Sequence, residues 1–408
     1  MDWSFLTRNK SSLNVTTDSR KVTPGSVFVA LKGEHFDGNA FVEQAKADGA
    51  EYIICGENAL AELQDLARAW RRELGLPIIG ITGTNGKTTT KELCAAVLKT
   101  KYNLYYTQGN LNNQLGVPLT LLSITRAHEM AIVEMGASHP GDIKELVEIA
   151  EPDCGLVTNV GKAHLQGFGS FEGVQRTKAE LYNWLVNHGG TVFQNADNPY
   201  LKQMLDDAQK KIVQLSSPLG PIVNYTTGQM PEGTHLVGNY NAENVSAAIC
   251  VGKYFGVSEE DALAAIRAYV PSNNRSQLVQ TEHNTVVVDA YNANPTSMQA
   301  AIEAFDNNFK QPQTISNDIK QCYILGAMRE LGDYSHLEHQ NIVNMLLERK
   351  ADHVLLVGEE YKDTTAPYPV FDNIDALYAY LQQEPLKGYR ILLKGSRSNQ
   401  MEKIIPLL

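Results

Sequence analysis

The 408-residue chain has no stretch of about 18 apolar residues, so nothing in it reads as a helix long enough to cross a bilayer. Its first residues, Met1-Asp2-Trp3-Ser4-Phe5-Leu6, lack the basic segment and apolar core of an export signal, and the expectation is a cytoplasmic protein without membrane insertion. Cysteine is sparse. Cys55, Cys94, Cys154, Cys250 and Cys322 are widely separated and form neither a CxxC pair nor a Cys/His metal spacing, so they read as reduced packing residues. An excess of positive charge is also missing: the formal net charge is -11, which offers no basic field to a nucleic-acid backbone and confines any phosphate chemistry to local loops. Neither a solenoid-period repeat nor a low-complexity tract is present. What remains is ordinary globular material, 43% hydrophobic and 20% charged, of a length that predicts two or three domains.

Residues 27–56 predict a small strand-helix-strand unit: an apolar run at 27–31, helical spacing over 41–50, then Tyr52-Ile53-Ile54-Cys55. Over 61–74, Leu63, Leu66, Ala67, Trp70 and Leu74 share a helical face, and Gly75-Leu76-Pro77 stops it at the first boundary. From Ile78 short apolar strands at 78–82, 131–135 and 155–160 alternate with helical stretches, the pattern of a doubly wound, mostly parallel sheet. Helical patterns over 242–255 and 259–269 then lead into the polar breaker Val270-Pro271-Ser272-Asn273-Asn274. Beyond it, apolar strands at 286–288, 322–325, 354–357 and 390–393 alternate with helices in a Rossmann-like outline, and the polar stretch 307–318 reads as a loop. The expected fold is α/β with three domains, 1–76, 77–271 and 272–408.

The strongest local signal is Gly83-Thr84-Asn85-Gly86-Lys87-Thr88-Thr89, which follows the apolar run 77–82 and precedes a helical run over 90–99. That is the setting of a phosphate loop. Glycines let backbone N–H groups converge on phosphate oxygens, the helix N-terminus adds positive potential, Lys87 supplies a point charge, and the Thr88 hydroxyl can bind Mg²⁺. Ile81 stands where the usual form of this motif has its first glycine, so the loop is a variant. The bland alternative is a structural glycine turn. A phosphate loop alone does not separate a ligase from a kinase, a motor or a switch.

Further motifs run in order along the chain: Thr17-Asp18-Ser19-Arg20, the loop itself, Gly109-Asn110-Leu111-Asn112-Asn113, Glu134-Met135-Gly136, Asn159-Val160-Gly161-Lys162-Ala163-His164-Leu165, Lys178-Ala179-Glu180-Leu181, Asp289-Ala290-Tyr291-Asn292-Ala293-Asn294-Pro295 and Lys394-Gly395-Ser396-Arg397. With these residues the chain resembles the Mur ligase family over nearly its whole length. The resemblance implies an N-terminal domain for the UDP end of one substrate, a central domain for ATP, and a C-terminal domain that closes over the site with the incoming amino component. It implies an ATP-dependent carboxylate-amine ligase that joins D-alanyl-D-alanine to UDP-N-acetylmuramoyl-tripeptide through an acyl phosphate, in cytoplasmic peptidoglycan precursor synthesis. Two Mg²⁺ ions and a monomeric enzyme are expected.

The resemblance also implies roles for single residues. Gly83, Thr84, Asn85, Gly86, Lys87, Thr88 and Thr89 cradle ATP. Thr88 and Glu134 hold one Mg²⁺; His164 and Lys178 belong to the second, Lys178 as a CO2-derived carbamate, since a neutral lysine amine can capture CO2 and become an anion. The bland readings are a strand-end acid for Glu134, a loop histidine for His164 and a surface lysine for Lys178. In Gly238-Asn239-Tyr240-Asn241-Ala242-Glu243-Asn244, the amides of Asn241 and Asn244 are candidates to read adenine, with a helix cap as the alternative for Asn241. Arg275 and Asp289 are expected near ATP, and Asn292 and Asn294 near the peptide substrates, against turn roles. Ser19 and Arg20 are candidates for uridine or pyrophosphate, and Asn110, Asn112 and Asn113 for the UDP-sugar. Ala327 stands where relatives of this kind often carry aspartate, and no role is drawn from it. The competing readings are the ligase that adds the third peptide residue, folylpolyglutamate synthase, and a nucleotide-binding partner without catalysis.

Overall fold

The computed structural model describes residues 2–213, 220–271, 274–309, 320–351 and 353–408. Three α/β layers are built on three sheets. The first is a small parallel sheet in the order Val15–Thr16, Val27–Val29, Tyr52–Ile54. The second has six parallel strands in the order Leu104–Tyr106, Met130–Glu134, Ile78–Thr82, Cys154–Val157, Thr191–Asn195 and Ile222–Tyr225. Its central strand Ile78–Thr82 and the two beside it, Met130–Glu134 and Cys154–Val157, are buried at every position. Helices cover both faces of such a sheet, which is why these strands read as continuous apolar runs rather than alternating ones.

The third sheet runs Gln277–Gln280, Thr285–Asp289, Tyr389–Lys394, Lys320–Gly326, His353–Val357, Val370–Phe371, parallel except for its first, antiparallel edge strand. Apolar cores line both faces, one around Met298, Phe305 and Val343, the other around Leu377, Met401 and Ile404.

The helix Ala59–Leu74 carries its apolar stripe as expected and ends where Gly75 adopts the left-handed conformation, φ 63°. Its buried face does not close the first sheet alone. Leu63, Leu66 and Trp70 share one core with Trp3, Val27 and Ile54 on one side and Val117, Val133 and Leu146 on the other. Full burial of side chains this size stabilises by about 1.5–3 kcal/mol each. The Trp70 indole N–H donates to the Ile124 carbonyl at 2.9 Å, and Arg71 donates to the Glu151 carbonyl and to Asp153, each at 2.8 Å.

Several boundaries differ from the sequence pattern for physical reasons. The apolar run 155–160 leaves the sheet after Val157, because Thr158 and Asn159 turn to hydrogen-bond the phosphate loop. The helix after that loop starts at Lys87 rather than at 90. The stretch 307–318, read as a loop, begins as the last turn of the helix Pro295–Phe309; its remainder, like Ser272 and Asn273 of the second breaker, lies outside the described residues. Cys55 is exposed and so is not a packing residue, whereas Cys94, Cys154 and Cys322 are buried; all five are free thiols. No described helix is long and apolar enough to cross a membrane.

Candidate active site

Parallel α/β sheets bind ligands outside the carboxyl ends of their strands. Here a cleft of about 760 Å³ opens there, walled by residues of the second and third sheets' layers, among them Thr84, Lys87, Thr88, Glu134, His164, Arg275, Asp289 and Tyr291. Its floor is the loop between Ile78–Thr82 and Lys87–Leu98. Gly83 and Gly86 both have positive φ, 145° and 77°, and a Cβ at Gly83 would stand 2.0 Å from Thr158 Oγ1. Only glycine fits that approach. Neighbouring strand ends splint the loop: Thr84 N–H donates to the Asn159 carbonyl at 2.9 Å, and Thr158 Oγ1 donates to the Asn85 carbonyl at 2.6 Å.

Lys87 folds back on this loop and donates to the carbonyls of Gly83 and Thr84, both at 2.9 Å. Burial draws its amine down to about 8, against the raising effect of Glu134. Glu134, 1% exposed, ends its strand beside the loop. Its Oε1 accepts from Thr88 Oγ1 at 3.2 Å and from Asn112 Nδ2 at 2.8 Å, while Oε2 is buried without a hydrogen-bond partner among the described residues. A spare carboxylate oxygen next to a threonine hydroxyl is the donor chemistry a Mg²⁺ ion takes. Among the described residues no three His, Cys, Asp or Glu side chains gather as a metal cluster, so oxygens from a bound nucleotide would have to complete such a site.

His164 lines the same cleft in a left-handed backbone conformation, φ 49°, and its Nδ1 meets the Glu330 carboxylate from the third layer. Burial holds its imidazole below the ordinary range, with Glu330 opposing. Lys178 is 3% exposed, inside the helix Phe171–Asn187, with its amine 5.7 Å from the Phe168 ring. Burial first, then Lys87, depresses that amine well below the usual lysine range, against Asp142 and Glu180. A buried lysine with a depressed amine is not the solvated surface lysine of the bland reading. It is not among the residues that line the cleft.

Three comparisons bear on this arrangement. The model of the Mur ligase middle domain matches residues 81–252, that of the Mur ligase glutamate ligase domain residues 274–397, and that of the Mur ligase family catalytic domain residues 13–96. UDP-N-acetylmuramoyl-tripeptide--D-alanyl-D-alanine ligase of Bacillus subtilis (strain 168) is 34% identical, across 96% of this chain and 92% of the relative. The chain belongs to the Mur ligase family. Among solved structures, MurF of Acinetobacter baumannii superposes with a TM-score of 0.82 at 28% identity, covering 96% of this chain and 92% of that one. MurF ligase of Thermotoga maritima in complex with ADP does so at 0.81 and 26%, covering 98% of each.

The remaining positions singled out by resemblance to the Mur ligase family fall into two groups. Thr89, Asn110, Asn112, Asn113, Asn241, Asn244, Arg275, Asp289 and Asn292 line the cleft; Ser19, Arg20 and Asn294 do not. Arg20 is engaged in a local turn, with three donations to Asp18, whose carboxyl it holds down at about 2. Asn113 Oδ1 accepts from Leu115 N–H and Gly116 N–H at the start of the helix Gly116–Leu122. Asn241 is not a helix cap: its Nδ2 donates to the Val237 carbonyl at 2.8 Å and its Oδ1 accepts from Asn244. Asn244 Oδ1 in turn accepts from Thr90 Oγ1, directly beneath Gly86. Both amides are thus engaged inside the protein. Asp289 pairs with the buried Lys394 at 2.7 Å, and Asn294 accepts from Ser297 N–H at the start of the helix Pro295–Phe309.

Sequence reasoning missed the Arg275 guanidinium stacked 3.8 Å from the Tyr291 ring, with Arg397 5.6 Å from the same ring, and it missed Glu330 and Lys91. The pairings of Glu330 with His164 and of Arg397 with Tyr291 join distant parts of the chain, whereas Arg275 and Tyr291 lie close in sequence. Lys91 left a readable trace: it shares the i, i+3, i+4, i+7 stripe with Cys94, Ala95 and Leu98, all buried, where an apolar residue is the norm.

Proposed function

We propose that this chain is the ATP-dependent ligase that joins D-alanyl-D-alanine to the terminal carboxylate of UDP-N-acetylmuramoyl-tripeptide. The whole-length similarity to the Bacillus subtilis ligase of that name carries the substrate assignment, and the loop-Glu134 grouping in one cleft supports the nucleotide chemistry.

The carboxylate oxygen bonds to the γ-phosphorus as the bond to ADP breaks, and the dipeptide amine then bonds to the acyl carbon as phosphate leaves. Both first-step reactants are anionic, so the site must supply positive charge and in-line alignment. Lys87, mainly protonated below about 8, exchanges its two loop carbonyls for phosphate oxygens. The loop N–H groups and Thr88 orient the triphosphate. Thr88 and Glu134 would hold one Mg²⁺, and His164 with a carbamate on Lys178 a second; when bound, the two ions neutralise charge on the transferring phosphoryl group. Arg275 stacked on Tyr291 and Asp289 close the nucleotide side from the third layer, while Asn241 and Asn244 brace Gly86 from below.

In the same reading the chain divides into units 1–76, 77–271 and 272–408. The first takes the UDP end with Ser19 and Arg20, the last the dipeptide near Asn292 and Asn294, with Asn110 and Asn113 beside the sugar. The enzyme acts as a monomer in the cytoplasm on peptidoglycan precursors. The test is ADP release with UDP-N-acetylmuramoyl-tripeptide and D-alanyl-D-alanine, run against single amino acids and tetrahydrofolate as alternative partners. Turnover confined to the dipeptide pair is expected. Turnover with a free amino acid or tetrahydrofolate overturns the assignment, and nucleotide binding without any substrate-dependent ADP release rejects catalysis.

A further inference from the structure

Lys91 is completely buried one helical turn beyond Lys87, and it is not among the residues that line the cleft. Its amine donates to the Thr107 carbonyl at 2.7 Å and lies 3.2 Å from Glu92 and 3.6 Å from Glu134 Oε2, the carboxylate oxygen that has no hydrogen-bond partner. Thr107 also acts on Glu134: its hydroxyl accepts from the Glu134 backbone N–H at 3.0 Å. A lysine in this position costs desolvation free energy, which is offset only if its charge is used. Lys87, whose amine is turned to the Gly83 and Thr84 carbonyls, acts on Glu134 through its charge without a hydrogen bond.

We infer that Lys91 is an internal counter-cation and positioning residue for Glu134, holding the carboxylate aimed at the nucleotide site. Glu134 is held from both sides: Thr88 and Asn112 fix Oε1, and Lys91 backs Oε2. A divalent ion arriving with the nucleotide then finds an oriented ligand. The inference rests on the reading of Glu134 as the carboxylate of that cation site.

The test is thermal unfolding of the full-length protein, without nucleotide and with MgADP, for wild type, Lys91→Met, Glu134→Gln and the double variant. Methionine keeps the length and apolar stem of lysine. If Lys91 compensates Glu134, Lys91→Met lowers the melting temperature of the nucleotide-free protein by about 5 °C or more, because a buried carboxylate is left uncompensated. Adding Glu134→Gln then restores much of that loss. MgADP, which brings its own cation, gives Lys91→Met a larger upward shift than wild type. A purely structural lysine predicts instead that the two substitutions add and that the MgADP shift is unchanged, and either result overturns the inference. Should Lys91→Met be too unstable to isolate, Lys91→Arg, which keeps the charge, must retain near-wild-type melting; failure of both, unrelieved by Glu134→Gln, rejects it as well. If Glu134→Gln alone leaves the MgADP shift intact, the cation-site reading falls, separately from the role of Lys91.

Discussion

Asn294 Nδ2 donates to Asn85 Oδ1 at 2.8 Å, so an amide of the third layer rests directly on the phosphate loop of the second. The same seam holds Lys162 against Glu338 at 2.7 Å, the Lys162 backbone N–H on Thr296 Oγ1 at 3.0 Å, and His164 against Glu330. An acyl phosphate must be kept from water, and contacts that join the two walls of the cleft do this when the layers are together.

Asn294→Ala removes both the bridge to Asn85 and the acceptor at the helix start. Loss of such a cap costs about 1 kcal/mol. The expected result is a small drop in melting temperature with a disproportionate fall in kcat, roughly tenfold for a contact of about 1.4 kcal/mol realised at closure. Asn294→Asp, which keeps the cap acceptor but loses the amide donor, should recover stability and not kcat. Steady-state ADP release beside thermal unfolding of both variants checks this.

Lys87→Met should reduce ligase turnover by about 10²–10³ or more, the range for removing one fixed charge aimed at a developing negative centre. Folding should be little affected, because the lysine bonds only its own loop at rest. Equal loss in kcat and kcat/KM, measured by phosphate release, is the expected signature. A rise in KM alone would place this lysine in ground-state binding.

Lys178→Ala should abolish turnover, and a short carboxylate such as acetate or formate at high concentration should restore part of it by standing in for the carbamate. A depressed lysine amine is what makes capture of CO2 feasible near neutrality. The carbamate reading predicts in addition that wild-type activity falls in CO2-depleted buffer and returns with bicarbonate. Both arms are read in the same coupled assay.

His339 supplies a pH dependence remote from the cleft floor. It is completely buried, its Nε2 accepts from the Met328 backbone N–H at 3.0 Å, and its Nδ1 contacts the Ser335 carbonyl at 2.7 Å. That pattern requires the neutral ring, and burial lowers its proton affinity accordingly. The native value therefore lies below the unfolded one of about 6.5, so its contribution to stability is complete above about 6.5 and is lost as pH falls through the lowered native value. His339→Gln, which cannot titrate, should flatten the fall in melting temperature between about pH 6.5 and 5. An unchanged slope would assign the acid sensitivity to other groups.

The layers and most strands were legible because burial on both faces writes itself into the sequence as apolar runs, and the loop because backbone approach to a phosphate restricts which residues fit at 83, 86, 87 and 88. Asn241 and Asn244 were legible as amides but not in their use: donor and acceptor counts say nothing of whether Val237, Thr90 or a ligand occupies them. Arg20 was readable as a candidate anion contact, yet Asp18 two residues away was the nearer partner. Glu330 acts through His164, a pairing that appears only once the third layer meets the second, and Tyr291 gathers Arg275 and Arg397 only once the third layer itself has folded.

The core around Trp70 limits how the chain can be divided. A cut after residue 76 follows the boundary of ligand chemistry but splits a single apolar interior, leaving Leu63, Leu66 and Trp70 facing water on one fragment and Val117 and Leu146 on the other. The chain is thus expected to fold as two pieces rather than three, with residues 1–76 unable to stand as an independent module. A fragment that keeps this interior whole has to run at least as far as Ala208.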